Sequence, residues 1–403
     1  LTEVRNVLQR AHRIKLKPNN KQVTYFKKAC GVRRLAFNWG LAEWKRQYEV
    51  GEKPSAFGLN KQFNAVKKSE FPFVSEVTKC APQRAFADLE KAFKKFFKKT
   101  SRYPKFKKKG QRDSFYVDNL KFKLNGKSIK IPKLGWVRMQ ESQRLPGRRL
   151  SATVSKEAAG WFVSITVEIP DGSECSDSQV YSAVGVDLGI DKLAVLSNGI
   201  TFENPKTTKK YEKRLRRLNK SLARKKKGSS NREKAKKKLG LLHSRIRNVR
   251  KDFLHKLTSY LADNYSDICI EDLNTSGMVK NRRLAKSVQD ASFSEIRRQL
   301  VYKSIRVHVV GRFFPSTKLC MACGQLHDMP LNKRTFQCSC NGVSIDRDLH
   351  AAQNILRAGC PNVKPVEREA LVLGQLPENE TTFWEAGNVH KFNGFEGAPC
   401  NFL

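Results

Sequence analysis

Three carboxylates stand where apolar strands or helices begin or end: Asp187 in GVDLGI, Glu271 in IEDLN and Asp348 in DRDLHAAQNI. A charged carboxylate beside a core strand costs free energy unless it is paired or binds a cation. Any one of them alone reads as a strand-end or cap acid. Three converging would hold two divalent metal ions about 3.5–4 Å apart, able to activate water and to stabilise the leaving oxygen of a phosphodiester. They lie 84 and 77 residues apart (271 − 187 and 348 − 271), so only a shared fold can bring them together. Asp346 carries the same charge two residues before Asp348 and is expected to position the loop, not a metal.

A second constellation is sulfur. Six of the ten cysteines (Cys30, Cys80, Cys175, Cys269, Cys360, Cys400) are scattered singly, too sparse for a disulfide scaffold. The other four, Cys320, Cys323, Cys338 and Cys340, fall within one short stretch, and in a reducing compartment such a cluster reads as metal-binding. Cys320 and Cys323 form a regular C-x-x-C, whereas Cys338 and Cys340 in CSCNG are only two apart. Four thiolates around one tetrahedral zinc are expected, with His327 as the alternative fourth ligand; a closed set of four protein ligands argues for structural zinc.

Charge sets the partner class. Lysine and arginine number 79 against 37 aspartates and glutamates, a net charge of +42 with pI near 10.1. A modest DNA-binding domain neutralises roughly six to ten phosphates, so this excess suits a long RNA, or RNA and DNA together. Residues 206–251 alone hold 21 basic and 2 acidic residues with leucines at 215, 218, 222, 239, 241 and 242. That pattern predicts a charged helical pair that would repel itself unless a polyanion lay against it. No apolar run approaches the ~18–20 residues that span a bilayer, and the opening LTEVRNVLQR lacks a signal peptide's apolar stretch. A membrane partner is therefore not expected, and a cytoplasmic, nucleoid-associated location is.

The elements that must position these groups follow from hydrophobic period and turn residues. HRIKLK (12–17) alternates as a strand and stops at Pro18, residues 20–49 carry helical spacing, and a second helix is expected over 81–99 with Phe93, Phe96 and Phe97 as one apolar stripe. YPKFKKKG (103–110) suits a loop along a nucleic-acid backbone. From 114 to 169 short β runs predict a small barrel or sheet module, and the polar 170–181 marks a boundary. Strand, turn, strand, an Asn198-Gly199 hairpin turn and a third strand are expected over 183–202. Helix 252–265, strand 266–272, helix 291–304, strand 305–310 and helix 349–358 then alternate, implying a mixed α/β layer. The tail 361–403, with three basic and six acidic residues, reads as disordered.

GVDLGI with its hairpin, IEDLN, KNRRLAKSVQDASFSEIRRQL, FFPSTKLCMACG and DRDLHAAQNI, in that order, resemble the TnpB (OrfB-type) proteins of bacterial insertion sequences, relatives of type V CRISPR effectors. GVRRLAFNWGLA (31–42), YPKFKKK and KLGWVR (133–138) extend the likeness to roughly residues 10–358. The resemblance implies a multidomain α/β plus β protein: a split RuvC-like (RNase H fold) nuclease domain with a zinc-ribbon insert, an oligonucleotide-binding-like wedge domain, and a helical recognition lobe. On this chain the wedge would comprise 1–19 and 111–170, the lobe 20–110, and a linker 171–182. The nuclease domain would comprise 183–312 and 346–360, with the basic hairpin 206–251 and a zinc-binding insert at 313–345. Implied is an RNA-guided DNA endonuclease, a monomeric ribonucleoprotein, in which guide RNA pairs with a double- or single-stranded DNA target while the protein reads a short adjacent motif. Asp187, Glu271 and Asp348 would hold catalytic Mg²⁺, and the cysteines zinc. The chain departs from the family's D-x-N-A-A at His350 and from its paired C-x-x-C at CSCNG. Two other readings share these features: a guide-RNA-dependent repressor or transposition regulator without cleavage, and a strand-joining transposase, which has an acidic triad but no need of the basic hairpin and wedge.

Overall fold

The computed structural model describes residues 8–169, 182–320, 322–330, 332–338, 342 and 344–361. The chain divides into two units, Leu1–Ser176 and Asp177–Leu403. The polar segment 170–181 and the acidic tail from 362 onward lie outside the described residues.

The first unit joins β strands to helices. Strand β1 (Leu8–Lys15) is followed by α1 (Asn20–Glu49), whose start is fixed by a capping box: Asn19 accepts from the Gln22 amide at 2.9 Å and the Gln22 side chain accepts from the Asn19 amide at 3.0 Å. Helices α2 (Ala56–Val66) and α3 (Cys80–Phe97) pack beside α1. At Gly40 an added Cβ would stand 2.9 Å from the Phe86 ring, so α1 and α3 meet where no side chain intervenes. Trp44 and Phe93 stack at 4.4 Å, but Phe97 is 56% exposed, so the expected stripe splits: a helix buries one face, and Phe97 falls outside it.

The β part has β2 (Ser114–Asp118), β3 (Lys123–Asn125), β4 (Ser128–Ile131), β5 (Gly135–Arg138), β6 (Arg148–Glu157) and β7 (Gly160–Ile169). These form a four-stranded sheet, β1-β7-β6-β2, and a three-stranded sheet, β3-β4-β5. Strand β1 pairs antiparallel with β7 from Leu8↔Ile169 to Lys15↔Phe162, so the chain's first strand completes a sheet built 150 residues later. The segment 103–110 is irregular, and Asn38 on α1 hooks it by two hydrogen bonds to Lys107, at 3.0 Å to its carbonyl and 2.8 Å from its amide. The Lys107 ammonium lies 3.5 Å over the Phe37 ring, and burial, helped by Arg33, lowers its pKa to about 8. This lysine of the basic loop therefore faces the protein.

In the second unit, β8 (Ala183–Asp187), β9 (Lys192–Leu196) and β10 (Thr201–Glu203) precede α4 (Thr207–Lys210), α5 (Glu212–Ala223) and α6 (Ser230–Asn264). Then come β11 (Asp267–Glu271), α7 (Thr275–Met278), α8 (Ala285–Ala291), α9 (Phe293–Lys303), β12 (Arg306–Val310), β13 (Thr335–Gln337), β14 (Ser344–Asp346) and α10 (Arg347–Gly359). The five-stranded sheet runs β10-β9-β8-β11-β12, with β8, β11 and β12 parallel and the hairpin strands antiparallel. The basic pair and the helix expected at 252–265 prove to share one 35-residue helix, α6. Its charge changes near residue 251, but no helix breaker stands there. The turn between α5 and α6 is closed by Arg232, which donates to the Leu222 and Lys225 carbonyls, both at 2.8 Å.

Candidate active site and metal cluster

Parallel pairing sets Val186 opposite Ile270, so Asp187 and Glu271 emerge side by side at the C-terminal ends of β8 and β11. Helix α10 brings the third acid. A Cβ at Gly185 would meet the Ala352 carbonyl oxygen at 2.0 Å and the Leu356 nitrogen at 2.6 Å, so α10 lies directly on the β8 backbone. Gly359 makes a similar approach, where a Cβ would meet Cys269 Sγ at 2.6 Å. Asp346 caps this helix, its Oδ1 accepting from the amides of Asp348 at 3.0 Å and Leu349 at 3.1 Å. Asp348 thus stands in the first turn, where the helix dipole favours an anion. The Arg347 guanidinium donates to Asp348 Oδ1 at 3.2 Å through both Nε and Nη2, and Lys192 lies 3.7 Å from Asp346.

Convergence is recorded in Asp187. Its burial, then the negative charges of Glu271 and Asp348, raise its pKa to about 7, while Arg347 opposes them. Carboxylates are hard oxygen donors, and a dication would offset both the burial and the mutual repulsion that raise this pKa, so the donor set suits Mg²⁺. Among the described residues, the groups whose ligating atoms all lie within 4.8 Å of one another are Cys320, Cys323, His327 and Cys338, and Asp267, His308 and Cys360.

The sulfur cluster is compact. His327 Nε2 lies 3.5 Å from Cys323 Sγ and from Cys338 Sγ, and those sulfurs are 3.7 Å apart. Hydrogen bonds from the Cys323 amide lower the Cys320 thiol to about 7, toward the thiolate a metal requires. This set of three sulfurs and one imidazole nitrogen fits structural zinc. Cys340, expected as the fourth ligand, lies outside the described residues, and His327, the alternative, lies with the other three sulfurs. The Cys320 carbonyl accepts from the Gly324 amide at 2.9 Å and the Cys338 carbonyl from the Gly342 amide at 3.0 Å, with both glycines in the left-handed region (φ 71° and 69°). In sequence, the position three residues on is Cys323 after Cys320 and Asn341 after Cys338.

The cluster abuts α10. Phe336 of β13 meets the His327 ring edge to face at 5.6 Å and stacks on His350 at 3.9 Å. His350 is 2% exposed, its pKa lowered by burial and then by His327. It is thus a packing residue facing the cluster. Two residues outside the sequence reading belong to this machinery. Ser316 donates its hydroxyl to Glu271 Oε1, and Asn354 on α10 donates to the Ser316 and Leu319 carbonyls at 2.6 and 2.8 Å. The signal for Ser316 is its place in FFPSTKLC, four residues before the first cysteine. Asp290 is a further omission: nine-tenths buried, it accepts from the Thr208 amide and hydroxyl and from Arg250 at 2.7–3.0 Å, tying α4 and α6 to α8. Within the basic hairpin, Glu212 pairs with Arg216 and Lys286, and Glu233 with Lys236, while Lys206 and Arg250 pair with Asp191 and Asp290 outside it, so the hairpin keeps a large positive excess.

Residues 164–282 match the IS605 OrfB family, described as "Probable transposase", residues 293–355 a "Cas12f1-like, TNB domain", and residues 6–53 a "Helix-turn-helix domain". The last stretch is here a strand and one long helix. The "Putative RNA-guided DNA endonuclease InsQ" of Escherichia coli (strain K12) is 34% identical over 372 residues, which cover 87% of this chain and 92% of that protein. The chain belongs to the TnpB (OrfB-type) family. A Streptomyces pristinaespiralis protein of the same designation is 35% identical over 367 residues, 87% of this TnpB chain and 90% of its own. The cryo-EM structure of a Cas12f1–sgRNA–target DNA complex superposes with a TM-score of 0.53 at 11% identity, covering 87% of this TnpB chain and 99% of its own. That likeness establishes a shared mixed α/β, multidomain fold. No helix among the described residues of this TnpB protein is long and apolar enough to cross a membrane.

Proposed function

We propose that this protein is an RNA-guided DNA endonuclease: it carries a guide RNA, pairs it with target DNA beside a short motif, and hydrolyses a phosphodiester with divalent metal. The observation that carries the reading is that Asp187 and Glu271 end neighbouring parallel strands while Asp348 opens the helix that lies on one of them, near enough that both charges add to the burial that raises the Asp187 pKa. On this reading the five-stranded sheet with α10 is a RuvC-like nuclease domain, and residues 313–345 are its zinc-binding insert. The strands of 8–15 and 114–169 are the wedge, interrupted by the helical lobe 20–110. The α5–α6 pair gives the phosphate contact that a guide requires. The relatives designated RNA-guided DNA endonucleases support the same assignment.

Bound Mg²⁺ would lower the pKa of a water and neutralise charge on the leaving oxygen. The chain's own part is positional. The strand register sets Asp187 and Glu271 at neighbouring strand ends, Gly185 lets α10 approach, and Asp346 caps the first turn that carries Asp348. Arg347 keeps Asp348 company without entering the strands, and Cys320, Cys323, His327 and Cys338 would hold zinc as a closed structural site. Asp187→Asn, Glu271→Gln and Asp348→Asn should each lower cleavage by orders of magnitude with guide and target affinity little changed, because phosphate contacts carry that affinity. Asp346→Asn should retain more activity than Asp348→Asn. A protein inactive unmodified yet binding its target without Mg²⁺ would favour the repressor.

A further inference from the structure

We propose that Ser316 is a positioning residue of the nuclease centre, held in place by Asn354, and that the pair fixes the Glu271 carboxylate relative to Asp348. The proposal rests on the nuclease reading and adds to it how the metal-binding geometry is set.

Glu271 ends β11, and the rotatable bonds of its side chain would let the carboxylate sample many positions. Ser316 removes that freedom. Its hydroxyl donates to Oε1, which leaves Oε2 with its lone pairs for a cation. The serine sits in an irregular segment between β12 and Cys320, and it is buried, at 6% exposure. What holds this segment is one amide group. Asn354 Nδ2 places its two hydrogens on two carbonyls of the same turn, Ser316 at 2.6 Å and Leu319 at 2.8 Å. Leu319 immediately precedes the metal-cluster ligand Cys320, and the Pro315 carbonyl accepts from the Lys318 and Leu319 amides, closing the turn.

Asn354 is 1% exposed and lies on α10, the helix whose first turn carries Asp348. The path from one acid to the other is therefore short and fully hydrogen-bonded: Asp348, six residues of rigid helix, Asn354, the Ser316 backbone, the Ser316 hydroxyl, Glu271. A change in the separation of the two acids must break one of these links. The same turn joins the Cys320 end of the sulfur cluster to the path, so a folded cluster braces the nuclease centre without donating any group to it.

The test uses the complex with guide RNA in the absence of target, so that no reaction occurs. Mn²⁺ binding is titrated by electron paramagnetic resonance, and the site-specific part is taken as the fraction lost in Asp187→Asn. Ser316→Ala should weaken that fraction roughly ten- to a hundred-fold, the loss expected for one hydrogen bond to a charged group. Melting temperature, zinc content and target affinity should stay unchanged. Ser316→Thr, which keeps the hydroxyl, should restore Mn²⁺ binding to within about threefold of the unmodified protein. The Mg²⁺ concentration for half-maximal cleavage should rise in parallel, with the rate recovering at saturation. Asn354→Ala should add little to Ser316→Ala, since it acts through the same bond. Unchanged Mn²⁺ affinity in Ser316→Ala, equal loss in Ser316→Thr, or loss only in step with melting would overturn the proposal. Additive effects of the two alanine variants would remove Asn354 from it. Mn²⁺ binding that is unaffected in Asp187→Asn would instead overturn the nuclease reading, and this proposal with it.

Discussion

Replacing Gly185 by alanine tests how the third acid reaches the other two. The added methyl would lie 2.0 Å from the Ala352 carbonyl oxygen and 2.6 Å from the Leu356 nitrogen, both backbone atoms of α10 that no rotamer change can move. Reaching even a tight 3.0 Å contact requires the helix to recede by about 1 Å (3.0 − 2.0). Overpacking of this kind costs about 1–3 kcal/mol, which for a unit of this size lowers the melting temperature by roughly 2–4 °C per kcal/mol. The catalytic effect should be larger than the stability effect. Asp348 travels with α10, and a misplacement of about 1 Å can cost on the order of a hundredfold in rate. The assay compares cleavage by the guide-loaded protein, well below its melting temperature, with melting curves of the same preparations. Gly311→Ala is the control, because its Cβ would meet nothing within 4 Å. Full activity and unchanged melting in Gly185→Ala would refute the placement of α10 on β8, and with it the convergence of Asp348 on Asp187.

Further outcomes follow from other parts of the second unit. Asp290→Ala should destabilise by about 3 kcal/mol, since it strands the partly buried Arg250 guanidinium and the Thr208 amide, and hydrogen exchange should rise first in the α4–α6 helices. His327→Ala should lose zinc by elemental analysis while Cys340→Ser retains about one equivalent; the reverse would restore the four-cysteine site. Burial, then Lys303 and Lys251, lower the pKa of His255 to about 4. The unfolded chain therefore binds this proton more readily between about pH 6.5 and 4, so the stability His255 confers above that window is lost as pH falls through it. Melting of the unmodified protein should drop more steeply than that of His255→Gln across the window, and parallel curves would count against the assignment.

Much of this arrangement was legible because its signals are local. The strand-end acids of GVDLGI and IEDLN, the Asn198-Gly199 turn and the start of the first helix each depend on neighbours within a few residues. The misses are of another kind. A change in charge along 206–265 suggested a boundary, yet the backbone hydrogen bonds of α6 continue through it, since charge does not break a helix. Phe97 was assigned to an apolar stripe by spacing, but the exposed end of α3 leaves it uncovered. Composition suits the loop 103–110 to a nucleic-acid backbone, yet tertiary contact places its Lys107 on Phe37. Ser316, Asn354 and Asp290 act through partners 38 to 82 residues away, and such pairings have no period to read. Asp346, expected to position the loop, is the N-cap of α10, which begins two residues before the helix read from the sequence.

The measurement that tests the central claim most directly is cleavage of a DNA that pairs with the RNA the protein carries. The protein is purified with that RNA, the RNA is sequenced, and plasmids bearing the complementary stretch behind a randomised flanking segment are incubated with Mg²⁺. A plasmid with the stretch scrambled and a reaction containing EDTA run beside it. Linear product is expected from the complementary plasmid alone, with one short flanking motif enriched among the cut molecules, and none with EDTA or with Asp187→Asn. Equal cutting of complementary and scrambled plasmids, or tight binding to the complementary one with no Mg²⁺-dependent cleavage, would contradict the account.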